Sequence, residues 1–256
     1  FLPRVGGTLS ADIAVPEHER VVRFYTSILT TGQDPLWRED LMNNVGMPII
    51  GLGERVPEYE ALPMQWMPHI LVADVAASAA RAVELGGSEL MHGKDDEGNS
   101  QWAVLVDPDG AAFGIIPVAS AEGAAPADLT ETRVGRIAWL DLTVPDAAAS
   151  RDFYQAVIGW SAQDAASGSE SEPLADVTLL GGDGTPAAGI RRAHGAHQDL
   201  PPVWLLHLPV ADLAESLRRA KDHGGQVLQV TDGPDGEPER AVIQDPVGVH
   251  VALVPG

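Results

Sequence analysis

The 256-residue chain contains no cysteine, which removes disulfides, thiolate metal sites and cysteine nucleophiles and fits a reducing compartment. Basic residues are scarce: 16 Lys and Arg stand against 37 Asp and Glu, a formal charge of −21. A surface of that sign excludes a nucleic-acid partner of the usual kind, because phosphate binding depends on Lys and Arg releasing counterions. No apolar run approaches the roughly 20 residues of a membrane span, and Phe1-Leu2-Pro3-Arg4 lacks the charged-then-apolar order of a signal peptide. A cytoplasmic protein with no membrane partner is expected. Also missing are a P-loop, a Gly-x-Gly-x-x-Gly fingerprint, a Gly-x-Ser-x-Gly elbow and a His-Glu-x-x-His helix, which argues against nucleotide-dependent chemistry and serine hydrolysis.

What is present is a globular composition, 45% apolar and 21% charged, at a length where one core usually becomes two. The acidic clusters Asp95-Asp96-Glu97 and Glu170 to Glu172 lie among Gly and Ser. They read as solvated loop tips that keep the protein soluble, rather than as a field aimed at a cationic partner.

The sequence also repeats itself. Asp12-Ile13-Ala14-Val15-Pro16-Glu17, followed by Phe24-Tyr25, returns as Asp141-Leu142-Thr143-Val144-Pro145-Asp146, followed by Phe153-Tyr154, at an offset of 129. From Pro48 and Pro186 onward the offset is 138: Trp66 to Val75 matches Trp204 to Leu213, Gly86-Gly87 matches Gly224-Gly225, and Asp107-Pro108-Asp109-Gly110 matches Asp245-Pro246-Val247-Gly248. The extra residues of the second copy are expected in the polar stretch Ser161 to Pro173. A period this long reads as duplicated domains rather than a solenoid: 1–119, an Ala-, Glu- and Pro-rich linker at 120–133, and 134–256.

Within each copy a strand (Leu9 to Val15, Ile137 to Val144) runs into a Pro-acid pair suited to a helix first turn. Apolar residues at helical spacing follow, as at Val21, Phe24, Tyr25 and Ile28. A second strand and helix come next (His69 to Ala73, Val75 to Leu85), ended by Gly86-Gly87. Two strands joined at Asp107-Pro108-Asp109-Gly110 close the copy. These motifs, in this order and in duplicate, resemble the vicinal oxygen chelate superfamily, which includes glyoxalase I, bleomycin-resistance proteins and extradiol dioxygenases. The resemblance covers nearly the whole chain. It implies an α+β fold of two tandem glyoxalase-like domains, each a pair of βαβββ modules forming a curved open sheet with a concave ligand cavity.

The resemblance also implies where a divalent metal would be held. The ligand slots fall at Ser10 and Trp139 on the first strands, near Met67 and Leu205 on the strands opening the second modules, at Gly114 and Ala252 on the last strands, and close to Gly51 and Gly189. None offers the imidazole or carboxylate that such metals need, so no metal and no other cofactor is expected.

Two residues beyond four of those slots, and therefore on the same strand face, stand Asp12, His69, Asp141 and His207. Asp12 with His69, and Asp141 with His207, would form carboxylate–imidazole dyads suited to acid–base work or to a polar ligand. The competing reading is a buried pair that only fixes the sheet. His194 and His197 read as loop residues without a counterpart in the first copy, Trp66 and Trp204 as core, and Trp37 and Trp102 as possible aromatic walls. The Asp107 and Asp245 turns read as structural.

Two functions remain open. One is a metal-independent small-molecule binding protein of the glyoxalase/bleomycin-resistance type, using Ser10, Met67, Gly114, Trp139, Leu205 and Ala252 as cavity lining. The other is a lyase or isomerase acting on a small carbonyl compound, with His69 or His207 as base and Asp12 or Asp141 orienting it. The sequence leaves the ligand's identity and the oligomeric state open.

Overall fold

A computed structural model describes residues 4–41, 48–118, 134–164 and 176–256. The expected linker and most of the expected insertion lie outside the described residues. In chain order the first repeat holds β1 (Thr8–Val15), α1 (His18–Leu29), β2 (Ile50–Glu54), β3 (Met67–Val72), α2 (Val75–Glu84), β4 (Ser88–Lys94), β5 (Ser100–Val106) and β6 (Ala112–Pro117). The second holds β7 (Trp139–Val144), α3 (Ala147–Ile158), β8 (Ser161–Asp164), β9 (Val177–Leu180), β10 (Pro186–Arg192), β11 (Trp204–Val210), α4 (Leu213–Asp222), β12 (Gln226–Asp232), β13 (Pro238–Gln244) and β14 (His250–Pro255). The strands make two open sheets, ordered β2-β1-β3-β6-β5-β4 and β12-β13-β14-β11-β7-β10-β9-β8. This is the mixed α+β architecture that the sequence implies. None of the described helices is long and apolar enough to cross a membrane.

Three of the four modules show the full βαβββ order. After α1, the first module has only β2 as a strand element among the described residues, so its sheet has six strands against eight. The stretch after α1 lacks alternation and uses Trp37 as a buried peg, its indole N–H donating to the Pro209 carbonyl at 2.9 Å. Trp37 is thus a core residue, while Trp102 is 39% exposed.

The helix starts differ slightly from expectation. Pro16 and Pro145 precede the helices, and the acid after each occupies the N-cap. Asp146 accepts the Ala148 and Ala149 N–H groups, as a short carboxylate does. Glu17, one methylene longer, sits at φ 51° without a side-chain cap and instead takes the Arg20 guanidinium at 2.8 Å.

The described chain packs as two compact units, and neither is a single repeat. One comprises 4–9, 67–118 and 139–204; the other comprises 10–66, 134–138 and 205–256. Each joins the first module of one repeat to the second module of the other.

The Phe-Tyr pair of each first helix makes that join. In the first unit α2 packs on α3. A Cβ added to Gly87 would stand 3.3 Å from Phe153, so the second glycine of the pair leaves room for that ring. Beside it Tyr154 donates its hydroxyl to Asp107 Oδ2 at 2.9 Å and accepts the Trp204 indole N–H at 2.9 Å. The other oxygen of Asp107 accepts the Asp109 and Ala111 amides, closing the turn before β6.

The second unit repeats the device with α1 on α4. Tyr25 donates to Asp245 Oδ2 at 3.1 Å and accepts from Trp66 at 3.0 Å, while Asp245 Oδ1 holds the Val247 and Val249 amides. Gly225 leaves still less space: a Cβ there would meet Phe24 at 2.6 Å. Trp66 and Trp204 are therefore core, as expected. The aspartate turns, beyond shaping their hairpins, are anchor points for the other repeat.

Burial pushes the Asp107 and Asp245 carboxyls up from the ordinary carboxylate range and, helped by those aspartates, pushes both tyrosines well up. A carboxyl raised by folding contributes stability that is present below its unfolded pKa, about 3.9, and is lost as pH rises through the folded value. Wild type should therefore lose stability relative to the non-titrating Asp107→Asn variant as pH rises above about 4, in parallel urea titrations. Tyr154→Phe, which strips a buried acceptor and a buried donor of their partner, should cost about 1–3 kcal/mol in the same assay at neutral pH.

Candidate functional site

With one sheet face committed to helices, the chemistry sits on the other. In β6, Phe113 packs its ring 5.3 Å from Tyr154 of α3, so Gly114, the next residue, points away from that helix. In β3, Trp66 immediately precedes the strand and bonds to Tyr25, which places Met67, His69 and Leu71 on the opposite side. The same parity holds in β11, where Trp204 bonds to Tyr154 and His207 has opposite parity. In β7 the apolar Leu140, Leu142 and Val144 alternate with Trp139, Asp141 and Thr143.

The register gives one rule in all four modules. Asp12 of β1 stands level with Gly51 of β2, and His69 of β3 with Gly114 of β6. Asp141 of β7 stands level with Gly189 of β10, and His207 of β11 with Ala252 of β14. Every acid or imidazole that the sequence singles out is thus beside a residue with little or no side chain, and four of the inferred metal slots are those small residues. The physical reason is visible at Gly114, where an added Cβ would lie 2.6 Å from His69 Cδ2. The imidazole leans over the glycine and takes the space that a side chain on β6 would fill.

The members of each expected dyad fall in different units: Asp12 and His207 in the second, His69 and Asp141 in the first. Asp141 is 3% exposed and accepts the Trp139 indole N–H at 2.9 Å, so the tryptophan in the metal slot turns onto the neighbouring acid. His207 is 4% exposed, whereas Asp12, His69 and Ser10 are half-buried. Met67 and Leu205 are buried, and Ala252 is fully so.

A residue that sequence reasoning missed is Tyr59. It lies on a 3-10 turn, Pro57–Tyr59. Its phenol is pushed up, first by a hydrogen bond and charge from Glu58. The offset of 138 takes Tyr59 to His197, which closes the matching 3-10 turn Gly195–His197 and is 7% exposed. His197 therefore does have a counterpart in the first repeat, a tyrosine. The signal that could have found it was the constant offset, applied without requiring identical residue types. His250 is half-buried, and burial lowers its pKa.

The donor set does not fit the metal that the fold implies. The slot residues are Ser, Trp, Met, Leu, Gly and Ala, and no group of three His, Asp or Glu side chains gathers among the described residues. The faces carry a few polar side chains among apolar ones, the usual composition of a small-molecule site. Gly114→Ala should push the His69 ring off its seat. The expected outcome is a shift of the His69 imidazole resonances with a stability loss of about 1–3 kcal/mol from overpacking, and an unchanged His69 spectrum would refute the seating.

The glyoxalase-like domain family model matches residues 9–116 and 138–254. The chain is 30% identical over 198 residues to the anthracycline biosynthesis protein DnrV of Streptomyces peucetius, and 29% identical over 198 residues to DauV of Streptomyces sp. strain C5. Both matches cover 77% of this chain and 68% of the relative. Among solved structures, 2,2',3-trihydroxybiphenyl 1,2-dioxygenase from Sphingomonas wittichii strain RW1 aligns with a TM-score of 0.56 at 17% identity, over 100% of this chain and 91% of that one. The last likeness speaks for fold alone.

Proposed function

We propose that this chain, which belongs to the glyoxalase-like domain family of the vicinal oxygen chelate superfamily in both of its repeats, is a metal-independent small-molecule binding protein of the cytoplasm. The observation that carries the reading is the donor set. Each slot where the family's catalysts would use an imidazole or carboxylate has an apolar, indole, hydroxyl or absent side chain here. The polar residues that remain stand level with glycine or alanine on the next strand. Such a surface orients a ligand through a few hydrogen bonds and holds it by apolar contact. The reading of the ligand as a planar, polycyclic aromatic compound is supported by the names of two relatives, both called anthracycline biosynthesis proteins.

A second reading, proton-transfer catalysis on a carbonyl compound, is favoured by one feature, the seat that Gly114 makes for the His69 ring. A fixed imidazole on a polar face can take and return a proton. Without a Lewis acid it has no strong charge stabiliser for an enediolate, a loss of several kcal/mol on the usual scale, so binding is preferred.

Titration of the purified chain with a soluble anthracycline, followed by tryptophan fluorescence and calorimetry with and without EDTA, tests the proposal. Binding that is saturable and unaffected by EDTA is expected, with no stoichiometric Ni, Zn, Fe or Mn by elemental analysis after supplementation. A tightly held divalent ion on which binding depends would overturn it. Turnover of a carbonyl compound that is lost in His69→Gln would transfer support to the second reading.

A further inference from the structure

We infer that β4 and β5 of the first repeat carry a nucleophilic serine site that takes an acyl group from an activated ester. Ser100 is the nucleophile, His92 the general base, and Glu89 the positioning residue that holds the imidazole. The inference is independent of the small-molecule reading.

The three side chains form one hydrogen-bonded line. His92 Nδ1 lies 3.0 Å from Glu89 Oε2, and its Nε2 lies 2.8 Å from Ser100 Oγ. What each group can do fixes the direction of donation. An ionised carboxylate only accepts, so Nδ1 carries the proton; Nε2 of the neutral ring is then a lone pair, and the serine hydroxyl donates to it. A hydroxyl whose proton is already aimed at a carboxylate-held base is the arrangement that activates serine. The Gly-x-Ser-x-Gly elbow is missing, but such a relay is defined by geometry and roles rather than by sequence motif.

Residues 89, 92 and 100 share a face only because both strands are bulged. The ladder pairs Glu89 with Leu105, Met91 with Val104, His92 with Ala103, Gly93 with Trp102 and Lys94 with Ser100, which leaves Leu90 and Gln101 as extra residues. Each extra residue shifts the alternation once, so Glu89, His92 and Ser100 fall on the face of Leu105 and Ala103. Leu105 pairs with Phe113, whose ring meets Tyr154, so this is the helix side of the sheet and not the side of Gly114. Because β4 is the edge strand, the relay stays accessible: the His92 and Glu89 side chains are 15% and 37% exposed, and Ser100 is half-buried.

The second repeat shows that the fold does not require these groups. The offset of 138 takes them to Val227, Val230 and Pro238, yet β12 and β13 pair with the same two bulges. Lys94, level with Ser100, adds a positive charge on a side chain whose Cβ stands roughly 5 Å from that of its opposite number, and such a charge stabilises an oxyanion. Its counterpart in the second repeat is Asp232. In the reaction Ser100 Oγ bonds to the ester's carbonyl carbon while His92 Nε2 takes the hydroxyl proton. The bond to the leaving oxygen breaks, and Nε2 passes the proton to that oxygen. Water, deprotonated by the same nitrogen, then releases the acid and restores the serine.

The test uses the full chain, with a fluorophosphonate as serine probe and 4-nitrophenyl acetate as ester. Expected are covalent label on Ser100 ahead of every other serine, by peptide mass spectrometry, and faster release of 4-nitrophenolate by wild type than by Ser100→Ala. Labelling should slow at least about tenfold in His92→Gln, since a general base is worth about 10²–10⁴. Glu89→Gln, whose amide can donate to Nδ1, should move the His92 15N spectrum from the Nδ1–H to the Nε2–H tautomer and slow labelling with it; a clip that only fastens β4 to β5 would leave the labelling rate where it was. The comparison of Ser100 with the other serines needs no variant to fold. Equal labelling of all serines, an Nε2–H tautomer in wild type, or an unchanged Ser100 rate in His92→Gln would overturn the inference.

Discussion

A buried tyrosine hydroxyl shared between an indole N–H and an aspartate carboxylate ties each compact unit together, and it occurs twice. The tyrosine comes from the first helix of one repeat and the carboxylate from the closing turn of the other. Burying these groups is costly unless every donor and acceptor is used. Here Asp107 and Asp245 each divide their two oxygens between a turn's amides and a tyrosine. The neighbouring phenylalanine occupies space kept open by a glycine at the end of the facing helix. Because each lock draws on both repeats, neither half of the chain contains a complete copy of it.

That arrangement also settles where chemistry can occur. Tyr25, Phe24, Phe153 and Tyr154 commit one parity of the sheet strands to helix packing, and the alternate parity carries every acid and imidazole of interest. Small residues on the adjoining strand are the condition for those side chains to fit, as His69 over Gly114 shows. A duplicated backbone reproduces this geometry automatically, so recurrence of the pattern reflects descent from one module plan. Divergence is seen two positions before the acid: serine in one repeat, and in the other a tryptophan whose indole N–H donates to that acid.

The three-donor cluster of His, Asp or Glu that a divalent metal needs is not found among the described residues.

Much was legible in the sequence, because period-two and period-3.6 patterns are local. The strands from Leu9 and His69, the helices from Val21 and Val75, the Gly86 cap and the closing Asp-Pro-x-Gly turns all follow from residues a few positions apart, and a fixed offset exposes duplication without any structure. The same local parity put Asp12, His69, Asp141 and His207 on the faces opposite the helices. Three things were decided only by the tertiary structure. Trp66, Tyr25 and Asp245 form one chain of hydrogen bonds although 220 residues separate the last two, and no pattern in sequence reports which repeat's turn a tyrosine will meet. Tyr59 and His197 occupy the same 3-10 turn without sharing chemistry. Trp139 spends its N–H on Asp141, two positions along its own strand, and that choice depends on how an indole packs in three dimensions. Sequence periodicity fixes the face a side chain is on; only packing fixes what it touches there.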